Sequence, residues 1–449
     1  MTPANGGEFS PRYAWYVVAV LTLASVSANI DRQILSLLVP AIERDLKISD
    51  TQMSYLIGFA FSIFYTVLGL PIARLADRSN RRNIMAAGVG LWSIFTAACA
   101  AAGTYVRLLL LRVGVGVGEA TLLAPSVSLI ADYFPRESRG RAMSVFSSAI
   151  FFGSGLAYFL GGWVVGLTEQ QGMWTVPLFG TIRPWQSVFL IVGLPGLVVM
   201  LLFFTIREPP REASGSQPGS VPLRAVWRYV RDNRRTFATQ NLGFAISATV
   251  NYGIAAWLAA FFMRTYGWTA TRAGLVQGSL TMTVGVAAPI IGGWLADGLV
   301  RRGMTDGPLR VGMIGAAGML ISATAYPLMP TAASAVAWLV AVNFFAALPW
   351  GAAATAAAEV VPSSIRAQGV AVYFFILGLV SSAFGPSLVA WCTDYVFHDR
   401  AMVRYSLALV NAVGMASALI LLGAGLPAYR KTIASRDGWS SAAFTRGQS

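Results

Sequence analysis

The sequence has few of the charged residues that a soluble protein carries on its surface. Only 12% of its 449 residues are charged, about half the share that is typical of soluble domains. Hydrophobic residues make up 56% of the chain, and the mean hydropathy is +0.62. This composition predicts an integral membrane protein that crosses the bilayer many times.

Histidine, cysteine and lysine are also scarce, and each scarcity excludes a class of site. His398 is the single histidine, and Cys99 and Cys392 lack metal-ligand spacing, so no metal site is expected. No Gly-Lys pair occurs, so the phosphate-binding P-loop is absent. Because no nucleophile, base and orienting group can be assembled at one membrane depth, we expect neither an enzyme nor a cofactor.

Apolar runs long enough to cross a bilayer core of about 30 Å recur along the whole chain. They predict an all-α membrane fold with twelve spans at 14–39, 52–76, 83–104, 106–133, 142–167, 186–206, 240–264, 273–297, 309–330, 333–359, 367–393 and 402–427. The expected domains are an N-terminal six-helix half (1–206), a linker (207–239), and a C-terminal six-helix half with a cytoplasmic tail (240–449).

Arginine supplies nearly all of the positive charge, because Lys47 and Lys431 are the only lysines among 33 basic residues. The arginines cluster in the loops after spans 2, 4, 6 and 8, whereas the alternate loops have few. The positive-inside rule therefore predicts that these loops and both termini are cytoplasmic, in the cell (inner) membrane. In the linker, arginines surround Val226, Trp227 and Val230, which predicts a short amphipathic helix on the anionic inner leaflet. The net charge of +14 does not indicate a nucleic-acid partner.

The two halves of the chain repeat. Asp77 follows span 2 in Ala73-Arg-Leu-Ala-Asp-Arg-Ser-Asn-Arg-Arg82, and Asp297 follows span 8 in a related run. After span 4, Asp132, Pro135 and Arg139 correspond at one constant offset to three residues after span 10, namely Glu359, Pro362 and Arg366. This pattern predicts a parallel six-plus-six repeat, the organisation of many secondary transporters. It also disfavours a signal peptide cleaved after Ala28, whose removal would leave an odd number of spans.

Span 1 carries polar groups at a depth where charge is costly. Asn29, Asp31 and Arg32 lie in its outer half, where each charge costs at least ~2.5 kcal/mol. Arg112 in span 4 is expected at a similar depth, with Glu119 two turns further along nearly the same helix face. Two acids and two bases sum to zero charge, which makes their burial tolerable. The group is either a fixed ion-pair staple or a proton and substrate site, and we favour the site.

The second half contrasts with this, because its spans 7 to 11 hold no charged residue over 245–263, 273–296, 311–358 or 367–393. Their large polar and aromatic side chains include Tyr252, Trp350 and Tyr373. If a cavity lies between the halves, one wall is charged and the other is apolar and aromatic. That arrangement suits an amphiphile. The alternative is that these aromatic residues face lipid or other helices.

At these residues the chain resembles the major facilitator superfamily over all twelve spans. The superfamily motif, Gly-x-x-x-Asp-Arg/Lys-x-Gly-Arg-Arg/Lys, follows span 2, with Ala73 and Asn80 in place of two glycines, and is matched loosely after span 8. The resemblance implies the major facilitator fold. It also implies a cytoplasmic latch that holds the outward-open state, formed by Asp77, Arg78, Arg81, Arg82, Asp132, Arg139 and Asp297.

Within that superfamily the chain is most similar to the Spinster-type, sphingolipid-transporter-like proteins. The resemblance is carried by four segments, which are Asn29-Ile-Asp-Arg32, Arg112 through Glu119-Ala, Asp132-Tyr-Phe-Pro135 through Arg141-Ala, and Arg207-Glu-Pro209. It implies the movement of lysolipids or sphingolipid-like molecules, here by a bacterial relative.

The function expected from the sequence is proton-coupled secondary transport of a lipid-like or amphipathic anion by alternating access, as a monomer. The bilayer, protons and the substrate are the expected partners. Asp31 and Glu119 are the candidate proton-coupling residues, and the candidate substrate contacts are Arg32, Arg112, Asn29, Tyr252, Trp350 and Tyr373. The alternatives are a proton-driven multidrug or organic-anion exporter, and a membrane receptor or scaffold without flux.

Overall fold

The structure, a computed structural model, describes residues 10–177, 180–209, 223–362 and 365–436. In these ranges, twelve helices are long and apolar enough to cross a membrane, which confirms the predicted number of spans. Their membrane-spanning segments are Pro11–Leu46, Asp50–Ala76, Arg81–Ala101, Tyr105–Tyr133, Ser138–Gln171, Pro184–Phe203, Arg234–Tyr266, Ala270–Arg301, Gly307–Leu328, Ala332–Glu359, Val372–Phe397 and Arg400–Arg436. They are called spans 1 to 12 below.

The helices extend beyond the apolar runs from which they were predicted. The helix of span 1 starts at Pro11, where the Ser10 side chain caps the Tyr13 N–H and proline suits the first helical position. It ends at Leu46, and Lys47 caps it in the left-handed conformation with φ 52°. Hydrophobicity defines the membrane-embedded part, whereas these local caps define the helix ends.

Several spans are interrupted rather than continuous. Span 2 contains a π-helical turn at Tyr55–Phe59, and span 11 ends in another at Cys392–Phe397. Span 4 consists of two helices, Tyr105–Glu119 and Leu123–Tyr133, so the break follows Glu119 directly. Such irregular turns inside helices are frequent at functional sites. Span 10 is likewise divided, into Ala332–Ala347 and Trp350–Glu359.

Shorter elements connect the spans. Between spans 5 and 6 a two-stranded antiparallel hairpin pairs Trp174–Val176 with Gly180–Ile182. A helix at Leu223–Asp232, the linker helix below, lies within the range in which the sequence predicts an amphipathic helix. Single 3₁₀ turns occur at Cys99–Ala101, Tyr326–Leu328 and Arg400–Met402.

The chain forms two compact units. The first combines residues 1–212 with 255–282 and 390–401, and the second combines 213–254, 283–389 and 402–449. The division into two six-helix halves at 206 and 240 stays a prediction from the sequence repeat.

Small residues let helices approach closely in the first unit. A Cβ at Gly161 in span 5 would meet the Ile34 side chain of span 1 at 2.8 Å, and a Cβ at Gly274 in span 8 would meet the Tyr158 carbonyl oxygen at 2.4 Å. The core of this unit includes Trp92, which is fully buried in span 3. Glycine thus sets helix spacing here, as it does in many membrane bundles.

The core of the second unit forms where the linker helix meets spans 7, 9, 10, 11 and 12. Val226 and Tyr229 of the linker helix pack with Phe244, Leu422 and Tyr429, all of which are buried. The linker helix is therefore an integral part of this unit.

Candidate functional site

Spans 1 and 4 bring four charged side chains together inside the first unit. Asp31 is 1% exposed, Arg112 is fully buried and Glu119 is 1% exposed. Arg112 and Glu119 lie seven residues apart on the helix Tyr105–Glu119, which places them on nearly the same face, two turns apart. The expected clustering of the four charges is therefore present. The structure also shows how they pair, which the sequence left open.

Arg32 pairs with Glu119. The distance from Arg32 Nε to Glu119 Oε2 is 2.6 Å, and the arginine side chain keeps 34% of its surface exposed while the glutamate side chain has none. Phe61 and Tyr65 lie one helical turn apart on span 2, and the centroid of each ring is 4.8 Å from the guanidinium carbon of Arg32. Cation–π attraction to both rings supplements the ion pair.

Arg112 contacts Asp31 through the backbone. Its Nη1 donates a hydrogen bond to the Asp31 carbonyl oxygen at 3.4 Å. Among the described residues, Arg112 Nε and Nη2, Asp31 Oδ1 and Glu119 Oε1 have no hydrogen-bond partner. Buried polar atoms are nearly always satisfied in native proteins. The site therefore holds unused donors and acceptors, which a bound proton, water or anionic ligand can engage.

A second polar layer connects span 1 to its neighbours. Asn29 Oδ1 accepts from Ser154 Oγ at 3.3 Å, and Gln33 Oε1 accepts from the Tyr158 hydroxyl at 2.9 Å. The Tyr158 hydroxyl also lies 3.2 Å from the Ala255 carbonyl oxygen in span 7. Asn29 therefore contacts span 5, and its role as a substrate contact stays a prediction.

Phe61, Tyr65, Gln33 and Tyr158 were not predicted as site residues from the sequence. The available signal was the spacing of two aromatic residues four positions apart in span 2. Apolar spans are rich in such pairs, so spacing alone does not show which pair faces a buried charge. Gln33 directly follows Arg32, but only the fold shows what it contacts.

Tyr252, Trp350 and Tyr373 belong to the second unit. Tyr252 and Trp350 are each 45% exposed, whereas Tyr373 is 3% exposed and packs edge-on against Phe244 in the core. Their contact with a substrate stays a prediction, and for Tyr373 any such contact would require repacking of that core.

At the start of span 3, some of the latch candidates form a network centred on Arg81. Its Nη1 lies 2.5 Å from Asp132 Oδ2, and its Nε lies 2.7 Å from Glu208 Oε1. The other oxygen of Glu208 accepts from the Arg82 backbone N–H at 3.1 Å. Glu208 belongs to the Spinster-like segment after span 6 and was not predicted as part of the latch.

The remaining latch candidates have other surroundings. Arg139 Nη2 donates to the carbonyl oxygen of Ala131 at 2.6 Å. Arg78 and Asp297 are exposed, and Asp297 lines a cavity of about 400 Å³ within the second unit. The side chain of Asp77 lies outside the described part of the structure. The role of these residues in a latch stays a prediction.

A third charged cluster, at the C-terminal end of span 1, was not predicted. Arg264 Nη2 lies 2.7 Å from Glu43 Oε2, and its Nη1 lies 2.6 Å from Asp50 Oδ2. Arg400 Nε approaches Asp50 Oδ1 at 3.5 Å, and Asp394 Oδ2 accepts from the Thr51 backbone N–H at 2.7 Å. Glu43 and Asp50 fall outside the predicted spans, so their burial could not be expected from the apolar runs.

Comparison with known proteins assigns a family to this arrangement. The sequence matches the Major Facilitator Superfamily over residues 21–386. It is 30% identical over 451 residues to human "Protein spinster homolog 1", covering 93% of this chain and 81% of that protein. It is 31% identical over 300 residues to an "MFS-type efflux pump" of Mycolicibacterium smegmatis, covering 66% of each.

A solved structure is also similar to this one. It is a bacterial homolog of the human lysosomal transporter Spinster, in an inward-facing and unoccupied conformation. The TM-score is 0.79 at 26% sequence identity, and the match covers 96% of this chain and all of the other.

Proposed function

Because the chain belongs to the Major Facilitator Superfamily, a family of secondary transporters and not of enzymes, we propose that it couples protons to the transport of a lipid-like or amphipathic anion. The multi-pass membrane architecture and the transporter class follow from the family and the twelve spans. Proton coupling and the substrate class are the proposal, and the geometry around Arg32 is the observation that supports them.

The pair of Arg32 and Glu119 joins a partly accessible cation to an inaccessible carboxylate. While Glu119 is ionised, it occupies the Nε edge of the guanidinium. A proton on Glu119 removes the negative charge and weakens that bond. The Arg32 guanidinium, still flanked by Phe61 and Tyr65, can then bind a carboxylate or phosphate through its planar fork.

The charge balance supports the same coupling. Asp31, Arg32, Arg112 and Glu119 sum to zero when all four are ionised, so one added proton leaves a net charge of +1. At an effective dielectric constant near 20, unit charges 4 Å apart interact by about 4 kcal/mol. The protonated site therefore attracts an anion, and by linkage the bound anion raises the affinity for the proton to the same degree.

Asp31 is proposed as the second proton-coupling acid, with Arg112 as its positioning partner and a substrate contact. Its Oδ1 is free of hydrogen bonds within the described residues, and Thr96 and Arg112 are among its polar neighbours. If protons and anion bind together, the site gives symport; if the anion displaces the proton, it gives exchange. Asn29, Tyr252, Trp350 and Tyr373 complete the proposed substrate contacts.

The lipid-like substrate is what the resemblance to Spinster-type proteins implies, and human spinster homolog 1 is similar over most of the chain. The aromatic rings around Arg32 add an apolar surface next to the charged head-group position. Similarity to the mycobacterial efflux pump favours a second candidate function, export of multiple drugs or organic anions. Both candidates use the same proton site and differ in the substrate, which is a lipid-like anion in the first and a drug or a small organic anion in the second.

The latch, the six-plus-six halves, the monomeric state and the cytoplasmic termini are part of the same proposal. In it, contacts such as those of Arg81 with Asp132 and Glu208 exist in one conformer and separate in another. Alternating access then exposes the Arg32 site to each side of the membrane in turn.

The test is uptake into proteoliposomes with and without an imposed pH gradient. The probe is a fluorescent lysophosphatidylglycerol, compared with a cationic dye. Asp31→Asn should abolish the pH dependence of transport, Glu119→Gln should weaken it, and Arg112→Ala should raise the substrate concentration needed for half-maximal uptake. Glu169→Gln, at an exposed acid in span 5, is the matched control and should behave as wild type.

Uptake of the dye in place of the lysolipid would favour the exporter. Uptake that is still driven equally by the gradient after both acids are neutralised would contradict the proton role. The four charges would then be a fixed ion-pair staple. A protein that binds the lysolipid but moves neither it nor protons would be a receptor.

A further inference from the structure

The linker helix and the first turns of span 7 present two opposite faces. One face is buried and consists of Val226, Tyr229, Thr236 and Gln240. The other face, called the basic face below, is exposed and consists of Arg224, Trp227, Arg228, Arg231 and Arg235. Arg224, Trp227, Arg228 and Arg231 recur at helical spacing and so form one stripe along the same side of the linker helix, and Arg235 is exposed in the first turn of the helix that follows.

The orientation of this stripe is fixed by hydrogen bonds within the second unit. The Tyr229 hydroxyl donates to the Val360 carbonyl oxygen at 2.6 Å, and Asn233 Oδ1 accepts from Thr432 Oγ1 at 3.1 Å. Thr236 and Thr432 are joined by a hydrogen bond of 2.8 Å between their hydroxyl groups. Because the buried face is held in this way, the arginines point away from the unit as a preformed surface.

The composition of the basic face is typical of a membrane interface. Trp227 is 70% exposed, and tryptophan is enriched where its apolar ring and N–H can lie at head-group level. Arginine on the polar side of an interfacial helix is attracted to anionic lipids. Asp232 is the one acid in the linker helix, and Lys431, exposed near the end of span 12, adds a further cation in the same unit.

The position of the helix along the chain limits its possible partners. The linker helix ends at Asp232, and the helix of span 7 begins at Arg234. At 1.5 Å per residue, the basic face therefore lies within a few turns of the point where span 7 enters the bilayer. At this rise, Arg228, Arg231 and Arg235 lie within about 9 Å of Arg234, which is comparable with the Debye length of about 8 Å at physiological ionic strength, and Arg224 lies about 15 Å away. The surface charge of the leaflet therefore acts most strongly on the first three.

We propose that the basic face is a docking surface for the head groups of anionic phospholipids in the adjoining leaflet, which the charge pattern predicts to be the cytoplasmic one. The arginines bind the phosphates, and Trp227 inserts among the head groups. The contact anchors the second unit to the leaflet through the linker helix. This surface is separate from the proposed Arg32 site and is independent of substrate identity.

The test compares lipid binding by the full-length protein in detergent. Wild type, the stripe variant Arg224→Gln/Arg231→Gln/Arg235→Gln and a control variant are titrated with phosphatidylglycerol, and bound lipid is counted by native mass spectrometry. The control, Arg12→Gln/Arg141→Gln/Arg302→Gln, removes the same charge from exposed arginines elsewhere. At about 1 kcal/mol for each arginine, the stripe variant should bind the lipid up to about 100-fold more weakly, and the control should bind as wild type.

Three further measurements sharpen the result. Phosphatidylcholine and inorganic phosphate at matched concentrations should not compete, which distinguishes an anionic lipid surface from a site for free phosphate. The variant Arg224→Lys/Arg231→Lys/Arg235→Lys should keep the binding, because it retains the charge. Brominated phosphatidylglycerol should quench the fluorescence of wild type more than that of Trp227→Phe.

Equal binding by the stripe variant and wild type, or competition by inorganic phosphate, would overturn the proposal. If the stripe variant does not fold, single substitutions at Arg224 and at Arg231 should each weaken binding by part of the full effect. Unchanged binding by both single variants would also overturn the proposal.

Discussion

Three buried or partly buried arginines show how surroundings decide the role of one residue type. Arg81 is 3% exposed and pairs with two carboxylates, Asp132 and Glu208, which suits a structural contact. Arg112 is fully buried with two unpartnered nitrogens among the described residues. Arg32 combines one ion pair, two aromatic rings and partial exposure. Of these three, only Arg32 is both ion-paired and partly exposed, and the proposed anion site rests on this combination.

Asp306 allows a prediction about stability and pH at the residue scale. Burial alone would raise the pKa of this carboxyl, but hydrogen bonds from Arg310 and Arg430 outweigh burial and hold the pKa below its usual range. Asp306 Oδ1 lies 3.0 Å from Arg310 Nε, and Oδ2 lies 2.6 Å from Arg430 Nη2. Both arginines are over one-third exposed. We therefore expect Asp306→Asn to lower the free energy of unfolding at pH 7 by about 1 kcal/mol.

The direction of the pH effect follows from the lowered pKa. Between the folded-state pKa and the unfolded value of about 3.9, the unfolded chain binds more protons, so stability rises with pH there. The contribution of Asp306 is complete above that unfolded value and is lost as the pH falls through the folded value. Thermal unfolding of purified protein at several pH values should show convergence of wild type and Asp306→Asn in acid. The exposed-site control Asp232→Asn should match wild type at every pH. A difference in unfolding temperature between wild type and Asp306→Asn that stays constant with pH would contradict this account.

At the scale of elements, helix ends carry interactions that the apolar parts of the helices cannot make. The cluster around Arg264 joins the end of span 1, the start of span 2, the ends of spans 7 and 11, and Arg400 at the start of span 12, all within the first unit. The Arg81 network similarly joins the ends of spans 3 and 4 to the segment after span 6. Charged groups at such positions replace the apolar packing that holds the middle of each helix.

Removal of Arg264 should therefore be costly. Glu43 is 2% exposed and Asp50 fully buried, so Arg264→Gln leaves two buried carboxylates without their main cation. We expect a loss of about 3–5 kcal/mol, measured as a fall in the thermal unfolding temperature in detergent. Combining it with Glu43→Gln and Asp50→Asn should restore much of the loss. The exposed neighbour Arg272→Gln should change little, and equal effects of the two single arginine variants would argue against this role.

A second prediction at this scale concerns helix contact in span 8. A Cβ at Gly274 would meet the Tyr158 carbonyl oxygen at 2.4 Å, whereas one at Gly298 in the same span meets nothing within 4 Å. Gly274→Ala should force spans 5 and 8 apart and cost about 1–3 kcal/mol. Gly298→Ala should be neutral or stabilising, because alanine favours helix over glycine. Thermal unfolding should show a lower unfolding temperature for Gly274→Ala and an equal or higher one for Gly298→Ala. Equal stability of the two variants would contradict the close approach of spans 5 and 8.

For the whole molecule, the arginine pattern predicts which ends of the helices face the cytoplasm. A cysteine in the linker, for example at Ser216, would test this orientation, but Ser216 lies outside the described residues. Ser435 and Gln171 are exposed and described, so they are the better positions for a labelling test. In a background without Cys99 and Cys392, Ser435→Cys should react with an impermeant maleimide only after cells are opened. Gln171→Cys should react in intact cells. The reverse labelling would invert the predicted orientation, including the leaflet assigned to the basic face.

The sequence by itself determined the twelve spans, the linker helix range and the residues that carry charge into the membrane. A helix in lipid must satisfy its own backbone hydrogen bonds, so a long apolar run decides the element locally. Asp31, Arg32, Arg112 and Glu119 were recognisable for the same reason, since a charge in such a run is too costly to lack a partner.

Tertiary structure alone decided which groups meet. Glu119 rather than Asp31 pairs with Arg32, 87 residues away, and Arg264 reaches carboxylates more than 200 residues away in sequence. Neither pairing follows from helix periodicity, because periodicity defines the faces of one helix and not the neighbour that each face meets. Which neighbour it meets depends on the simultaneous packing of all the helices, including close approaches at Gly161 and Gly274.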